Sequence, residues 1–188
     1  MDRLRTECPW DREQTHRSLA TYLLEETYET LEAIDTWDAT GEDRDLVEEL
    51  GDLLLQVVFH ARVASERHPG GFDIDVVAGG ICDKLVHRHP HVFAGLEVAD
   101  AAEVDRNWER LKAAEKQRSH VLEGVPLALP ALALADKVLS RLAKAGLEPE
   151  PVDPGVGAEL LALVARARSL GVDPEQALRD AVRQAAPP

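Results

Sequence analysis

Two stretches of helical periodicity, separated by a single short turn, constrain this chain more than any other feature. Between Ser18 and Thr36, Leu19, Leu23, Thr27, Leu31 and Ile34 recur at the spacing of one helical face. Between Asp43 and Arg67, Leu46, Leu50, Leu53, Leu54, Val57, Val58 and Ala61 do the same. Gly41 breaks the first run, and His68-Pro69-Gly70-Gly71 stops the second. Two long helices joined so closely are expected to fold back as an antiparallel hairpin. With 45% hydrophobic and only 4% aromatic residues, the core must be built from Leu, Val and Ala, which favours packed helices. No strand pattern competes, so the expected class is all-α.

Further helices follow. Asp73 or Asp75 can cap a third that runs to His89, where Pro90 disfavours helical geometry, and the segment to Leu96 reads as loop. Asp100-Ala-Ala-Glu103 has the form of a capping box and opens a fourth helix through Trp108 and Leu111 to about Gln117. Past Pro126 an Ala/Leu-rich helix spans Leu129 to Ala145, followed by the Pro-rich linker Glu148 to Gly155. Two short helices end the chain. The first stops at Gly171, and the second starts with Asp173 as cap, Pro174 at the first helical position and Gln176 completing a capping box. The 188 residues suit one domain with an appendage.

A formal net charge of −14 opposes binding to nucleic acid or an anionic membrane, and an anionic substrate would need a cation as intermediary. Cys8 and Cys82 lie far apart with no C-x-x-C partner, which fits two free thiols in a reducing cytosol. Met1 to Trp10 lacks the apolar run of a signal peptide, and no stretch is long enough to span a bilayer. The expected location is cytoplasmic.

The chemistry is concentrated on the hairpin. Glu26 and Glu29 fall beside the apolar stripe of the first helix, and Glu49 and Asp52 beside that of the second. Docking the stripes brings both pairs to one rim. Four carboxylates so close raise one another's pKa unless a cation relieves them. Oxygen-only ligands suit Mg²⁺, with Mn²⁺ as substitute, better than zinc or copper. Mg²⁺ keeps coordination positions for water and phosphate oxygens, so the expected substrate is a phosphate ester or anhydride. Scattered carboxylates on solvated helix faces are the bland alternative for either pair alone. A di-iron bundle would need Glu-x-x-His on two helices, and neither Glu29 nor Asp52 is followed by such a histidine. His87, His89 and His91 bracket Pro90 without a fourth ligand at recognisable spacing, and read as a turn rather than a zinc site.

The blocks Cys8-Pro9-Trp10-Asp11, Leu24-Glu25-Glu26-Thr27-Tyr28-Glu29, Glu49-Leu50-Gly51-Asp52-Leu53-Leu54, Gln56-Val57-Val58-Phe59-His60 and His89-Pro90-His91-Val92-Phe93 resemble the MazG family. The resemblance covers residues 1–125 and implies an all-α helical bundle of antiparallel hairpins, completed by homodimerisation. It also implies Mg²⁺-dependent hydrolysis of nucleoside triphosphates to monophosphate and pyrophosphate, as in nucleotide-pool housecleaning. Glu26, Glu29, Glu49 and Asp52 match the family's metal ligands, while Lys84, Arg88 and Trp108 match positions that contact substrate. Lys84 and Arg88, four apart on one helical face, can clamp phosphate oxygens, and Trp108 offers a stacking surface for a base. His87 stands where many relatives carry Arg. Residues 126–188 resemble only the tail of the second module found in two-domain relatives, with no E-E-x-x-E before it, and read as a degenerate structural or dimerisation remnant.

The expected reaction is in-line attack of a metal-positioned water on the α-phosphorus, with Glu25 or Glu26 as general base. Base preference is not legible in these motifs. A catalytically silent nucleotide-binding scaffold of the same fold is the competing reading, and intact carboxylates on both helices speak against it.

Overall fold

The computed structural model describes residues 1–116 and 120–185. Ten helices and no strand occur among them: α1 (Asp2–Glu7), α2 (Pro9–Glu13), α3 (His16–Thr40), α4 (Arg44–Ala64), α5 (Ile74–Arg88), α6 (Pro90–Phe93), α7 (Ala101–Lys116), α8 (Ala131–Lys144), α9 (Val156–Ser169) and α10 (Pro174–Ala185). The all-α expectation is met. Two compact units divide the chain, residues 1–108 and 109–188. No helix among the described residues is long and apolar enough to cross a membrane. Gln117, the expected end of the fourth helix, lies outside the described residues.

The hairpin dominates the first unit, and its ends follow from local chemistry. Thr15 accepts a hydrogen bond from the Ser18 backbone N–H while Ser18 Oγ accepts from the Thr15 N–H, a reciprocal cap that starts α3. Gly41, at φ 78°, closes α3 in the left-handed conformation and donates to the Trp37 carbonyl at 2.7 Å. After α4 the chain turns sharply against its own helix end. A Cβ at Gly71 would lie 2.6 Å from the Arg67 carbonyl oxygen and 2.7 Å from that of Ala64, so only glycine fits. Asp73 then caps α5, accepting from the Val76 N–H at 3.1 Å.

The two long helices bury only part of the stripe that periodicity indicates, together with neighbours beside it. Leu19, Thr30 and Ala33 of α3 and Gln56, Phe59, Ala61 and Ala64 of α4 are buried, whereas Leu31, Ile34, Leu50 and Leu54 stay exposed. Small side chains explain the choice, because Ala33, Ala61 and Ala64 let helices approach where a row of leucines would hold them apart. Full burial of Leu19 and Phe59 contributes about 1.5–3 kcal/mol each.

Two further segments are helical. The N-terminal ten residues enter α1 and α2, which pack on the hairpin: Trp10 meets Tyr22 and Phe59 edge-to-face, and Arg5 pairs with Glu66 at 2.7 Å. Residues expected as loop after His89 include α6, because Pro90 at the first helical position is already preset for a turn of helix.

The second unit joins α8, α9 and α10 around Leu139 and Val164. Arg168 pairs with Asp136 at 2.6 Å, and Asp173 caps α10 by accepting from the Glu175 and Gln176 N–H groups at 2.8 and 3.2 Å.

Candidate metal centre

The hairpin sets α3 against α4 so that Glu26 faces Glu49 and Asp52. Ligand oxygens of these three carboxylates all lie within 4.8 Å of one another. Glu29 lies outside that set but close enough for its charge to bear on Glu26. The side chains of Glu26, Glu49 and Asp52 are half-buried, and those of Glu25 and Glu29 are exposed.

Beneath the carboxylates sits Thr30, which the sequence does not single out. Its hydroxyl is buried, 2.7 Å from the carbonyl oxygen of Glu26 and 3.5 Å from that of Glu49. It therefore touches the backbone of Glu26 on its own helix and of Glu49 on the next. The only signal available in sequence is a threonine one turn after Glu26.

Electrostatics here are one-sided. Burial raises the Glu26 pKa above its ordinary 4.5, and Asp52, Glu29 and Glu49 push it further. Burial likewise raises Glu49, with Glu29, Asp52, Glu48 and Asp45 adding to it. Every group that shifts either carboxyl is acidic. A small groove of 230 Å³ lined by Glu29, Glu32, Ala33, Thr36, Asp45 and Glu49 extends the negative field along the rim. Converging oxygens without compensating charge fit a hard divalent cation.

The remaining candidates lie on α5 and α7. Lys84 is exposed on α5. Arg88, one turn on, is buried, with its guanidinium 5.4 Å from the centre of the Trp108 ring. Arg88 and Trp108 are thus brought together. His89 also meets Trp108, with ring centres 4.8 Å apart. His89 lies between α5 and α6 as the cap of both, while His87 is within α5 and His91 within α6. Cys8 and Cys82 are free thiols.

Comparison with known proteins agrees with this geometry. The family described as MazG nucleotide pyrophosphohydrolase domain matches residues 14–93, the stretch that holds all four carboxylates. An uncharacterised 26.1 kDa protein of Streptomyces cacaoi is 51% identical over 184 residues, 96% of this chain and 74% of that protein. A nucleoside triphosphate pyrophosphohydrolase of Mycobacterium tuberculosis is 46% identical over 182 residues, 97% of this chain but 52% of the relative. The chain thus spans about half the length of that relative. A Thermotoga maritima protein named nucleoside triphosphate pyrophosphohydrolase/pyrophosphatase MazG is 38% identical over 212 residues, 98% of this chain and 79% of that protein. With helical fold, carboxylate cluster and relatives in agreement, the chain belongs to the MazG family of nucleotide pyrophosphohydrolases.

Proposed function

We propose that this chain is a Mg²⁺-dependent nucleoside triphosphate pyrophosphohydrolase that cleaves NTPs or dNTPs between the α- and β-phosphates in nucleotide-pool housecleaning. The observation that carries this reading is the convergence of Glu26, Glu49 and Asp52 from two helices within 4.8 Å, with Glu29 beside them. These four carboxylates would hold the metal, and Mn²⁺ is a suitable substitute. When bound, Mg²⁺ supplies neutralisation of the triphosphate and polarisation of its phosphoryl oxygens.

The chain's own residues do the rest. Lys84 and Arg88 bind phosphate oxygens, and Trp108 stacks on the base. A water oxygen attacks the α-phosphorus, its proton passes to Glu25 or Glu26, and the α–β bridging P–O bond breaks to release pyrophosphate. Glu26 stands within the carboxylate cluster, whereas Glu25 is exposed beside it.

The catalytic domain is assigned to residues 1–125, and residues 126–188 to a degenerate second module. Exposed Leu31, Ile34, Leu50 and Leu54 support a homodimer, because apolar surface left open on a long hairpin favours a covering partner. A cytoplasmic location fits the two free cysteines.

Pyrophosphate release from a panel of nucleoside triphosphates, with Mg²⁺ and with chelator, tests the reading. Metal-dependent release of pyrophosphate and monophosphate is expected from the native chain, with at least about a hundredfold loss in Glu29→Gln/Asp52→Asn. Nucleotide and Mg²⁺ that raise the melting temperature yet yield no pyrophosphate would establish a silent scaffold instead.

A further inference from the structure

Trp108 is gripped more closely than a simple stacking platform requires. The grip begins at the end of α5. A residue before proline avoids helical geometry, so His89 leaves the helix at φ −119°, ψ 57°. There its Nδ1 lies 2.7 Å from the Leu85 carbonyl oxygen. A carbonyl can only accept, so Nδ1 carries the hydrogen, and the bond sets both the tautomer and the tilt of the ring. The ring so fixed meets the Trp108 indole edge-to-face at 4.8 Å and 66°. His91, across Pro90, meets the His89 ring edge-to-face at 5.5 Å and 63°. Arg88 adds its guanidinium to the indole, yet Trp108 remains half-buried rather than enclosed.

We propose that His89 is a positioning residue which, anchored on the Leu85 carbonyl, holds the Trp108 indole at the angle where it stacks on the nucleotide base. The proposal rests on the reading of Trp108 as a substrate contact. It gives a role to the histidine–proline–histidine turn that neither metal binding nor phosphate binding uses. His89 acts through Trp108, so its loss weakens nucleotide binding and leaves the carboxylate chemistry alone.

The experiment pairs steady-state kinetics with Trp108 fluorescence. Of the three tryptophans, Trp10 and Trp37 are replaced by phenylalanine so that emission reports Trp108 alone. In that background, His89→Ala is expected to shift Trp108 emission and to raise KM for the nucleoside triphosphate up to about tenfold, with kcat changed by less than about twofold. Trp108→Ala should raise KM at least as much, and the His89→Ala/Trp108→Ala double variant should add nothing further. His89→Phe keeps the aromatic edge without the anchoring hydrogen bond, and is expected to fall between native and His89→Ala in both readouts. It also guards against a collapse of the turn in the alanine variant. Emission unchanged in both His89 variants overturns the proposal whatever the kinetics. Equal falls in kcat and in thermal stability, with KM constant, overturn it in favour of a purely structural turn. Should Trp108→Ala itself leave KM unchanged while His89→Ala still shifts emission, the fault lies in the substrate reading of Trp108, and His89 has no part in nucleotide binding.

Discussion

Glu49, a metal ligand in the proposed reading, works against the fold that carries it. Its carboxyl and that of Glu26 bind protons more tightly in the native chain than at the ordinary 4.5. The native state therefore carries more protons than the unfolded state just above pH 4.5, and stability contributed by these groups falls as pH rises through that window. Glu66, lowered by its hydrogen bond to Arg5, acts in the opposite sense, stabilising above 4.5 and losing that contribution as pH falls below it. Replacing Glu49 by Gln removes repulsion only. At pH 7 in chelator, Glu49→Gln should melt at or above the native temperature, and Mg²⁺ should stabilise the native chain but not the variant. A variant that melts well below native in chelator would show that Glu49 stabilises the fold rather than the ion. Thr30 is the complementary case. Thr30→Val keeps the volume and removes the hydroxyl between the Glu26 and Glu49 carbonyls, at a cost of about 1 kcal/mol in stability. Mg²⁺ affinity measured by titration calorimetry should weaken several-fold, and unchanged affinity would reduce Thr30 to packing.

Among the helices, what the sequence makes legible is what each segment decides for itself. The i, i+3 spacing of Glu26 with Glu29 and of Glu49 with Asp52 needs no tertiary information, nor do the breaks at Gly41 and at His68-Pro69-Gly70-Gly71 or a cap at Asp73 or Asp75, of which the structure uses Asp73. Features that depend on how one helix meets another are not legible in that way. The burial of Thr30 and Ala33 while Leu31 and Ile34 stay exposed is one. The contact of His16, at the start of α3, with His60, near the end of α4, is another. Their Nδ1 atoms lie 2.8 Å apart, the ring planes differ by 3° and the centroids stand 5.2 Å apart, so the rings meet edge to edge in one plane through a shared hydrogen. His60 Nε2 is buried without a hydrogen-bond partner. A bare lone pair there costs less than an orphaned N–H, so His60 donates from Nδ1 and His16 accepts. Burial first, and then His16, lowers the His60 pKa from 6.5. Below 6.5 the unfolded chain takes up the proton before the native one, so stability falls as pH drops through that value. The melting temperature should therefore decline between pH 7.5 and about 5.5 in the native chain, and much less in His60→Gln. An identical decline in both would place its origin elsewhere.

At the scale of the whole molecule, the exposed hairpin face tests whether the carboxylate rim works alone. Leu50 and Leu54 are one turn apart on α4, 49% and 61% exposed, on the helix that also carries Glu49 and Asp52. Within one chain they contribute little to the core, so charging them should change the stability of an isolated copy by no more than about 0.5 kcal/mol. In a dimer the same change would bury an unpaired charge against apolar surface, a cost of several kcal/mol that the interface cannot absorb. Leu54→Arg is therefore expected to convert a dimeric native chain into a monomer by light scattering coupled to size exclusion, with helical content retained. Its consequence for turnover follows from enclosure. A hairpin with its acidic rim open to water would leave a bound triphosphate screened by solvent, whereas a second copy across the apolar face would exclude water and strengthen each ionic contact. The monomeric variant should accordingly keep its Mg²⁺ affinity within a few-fold yet lose most pyrophosphate release. A native chain that runs as a monomer at full activity would locate the whole site in one copy, and would leave Leu31, Ile34, Leu50 and Leu54 as surface that no partner of its own kind covers.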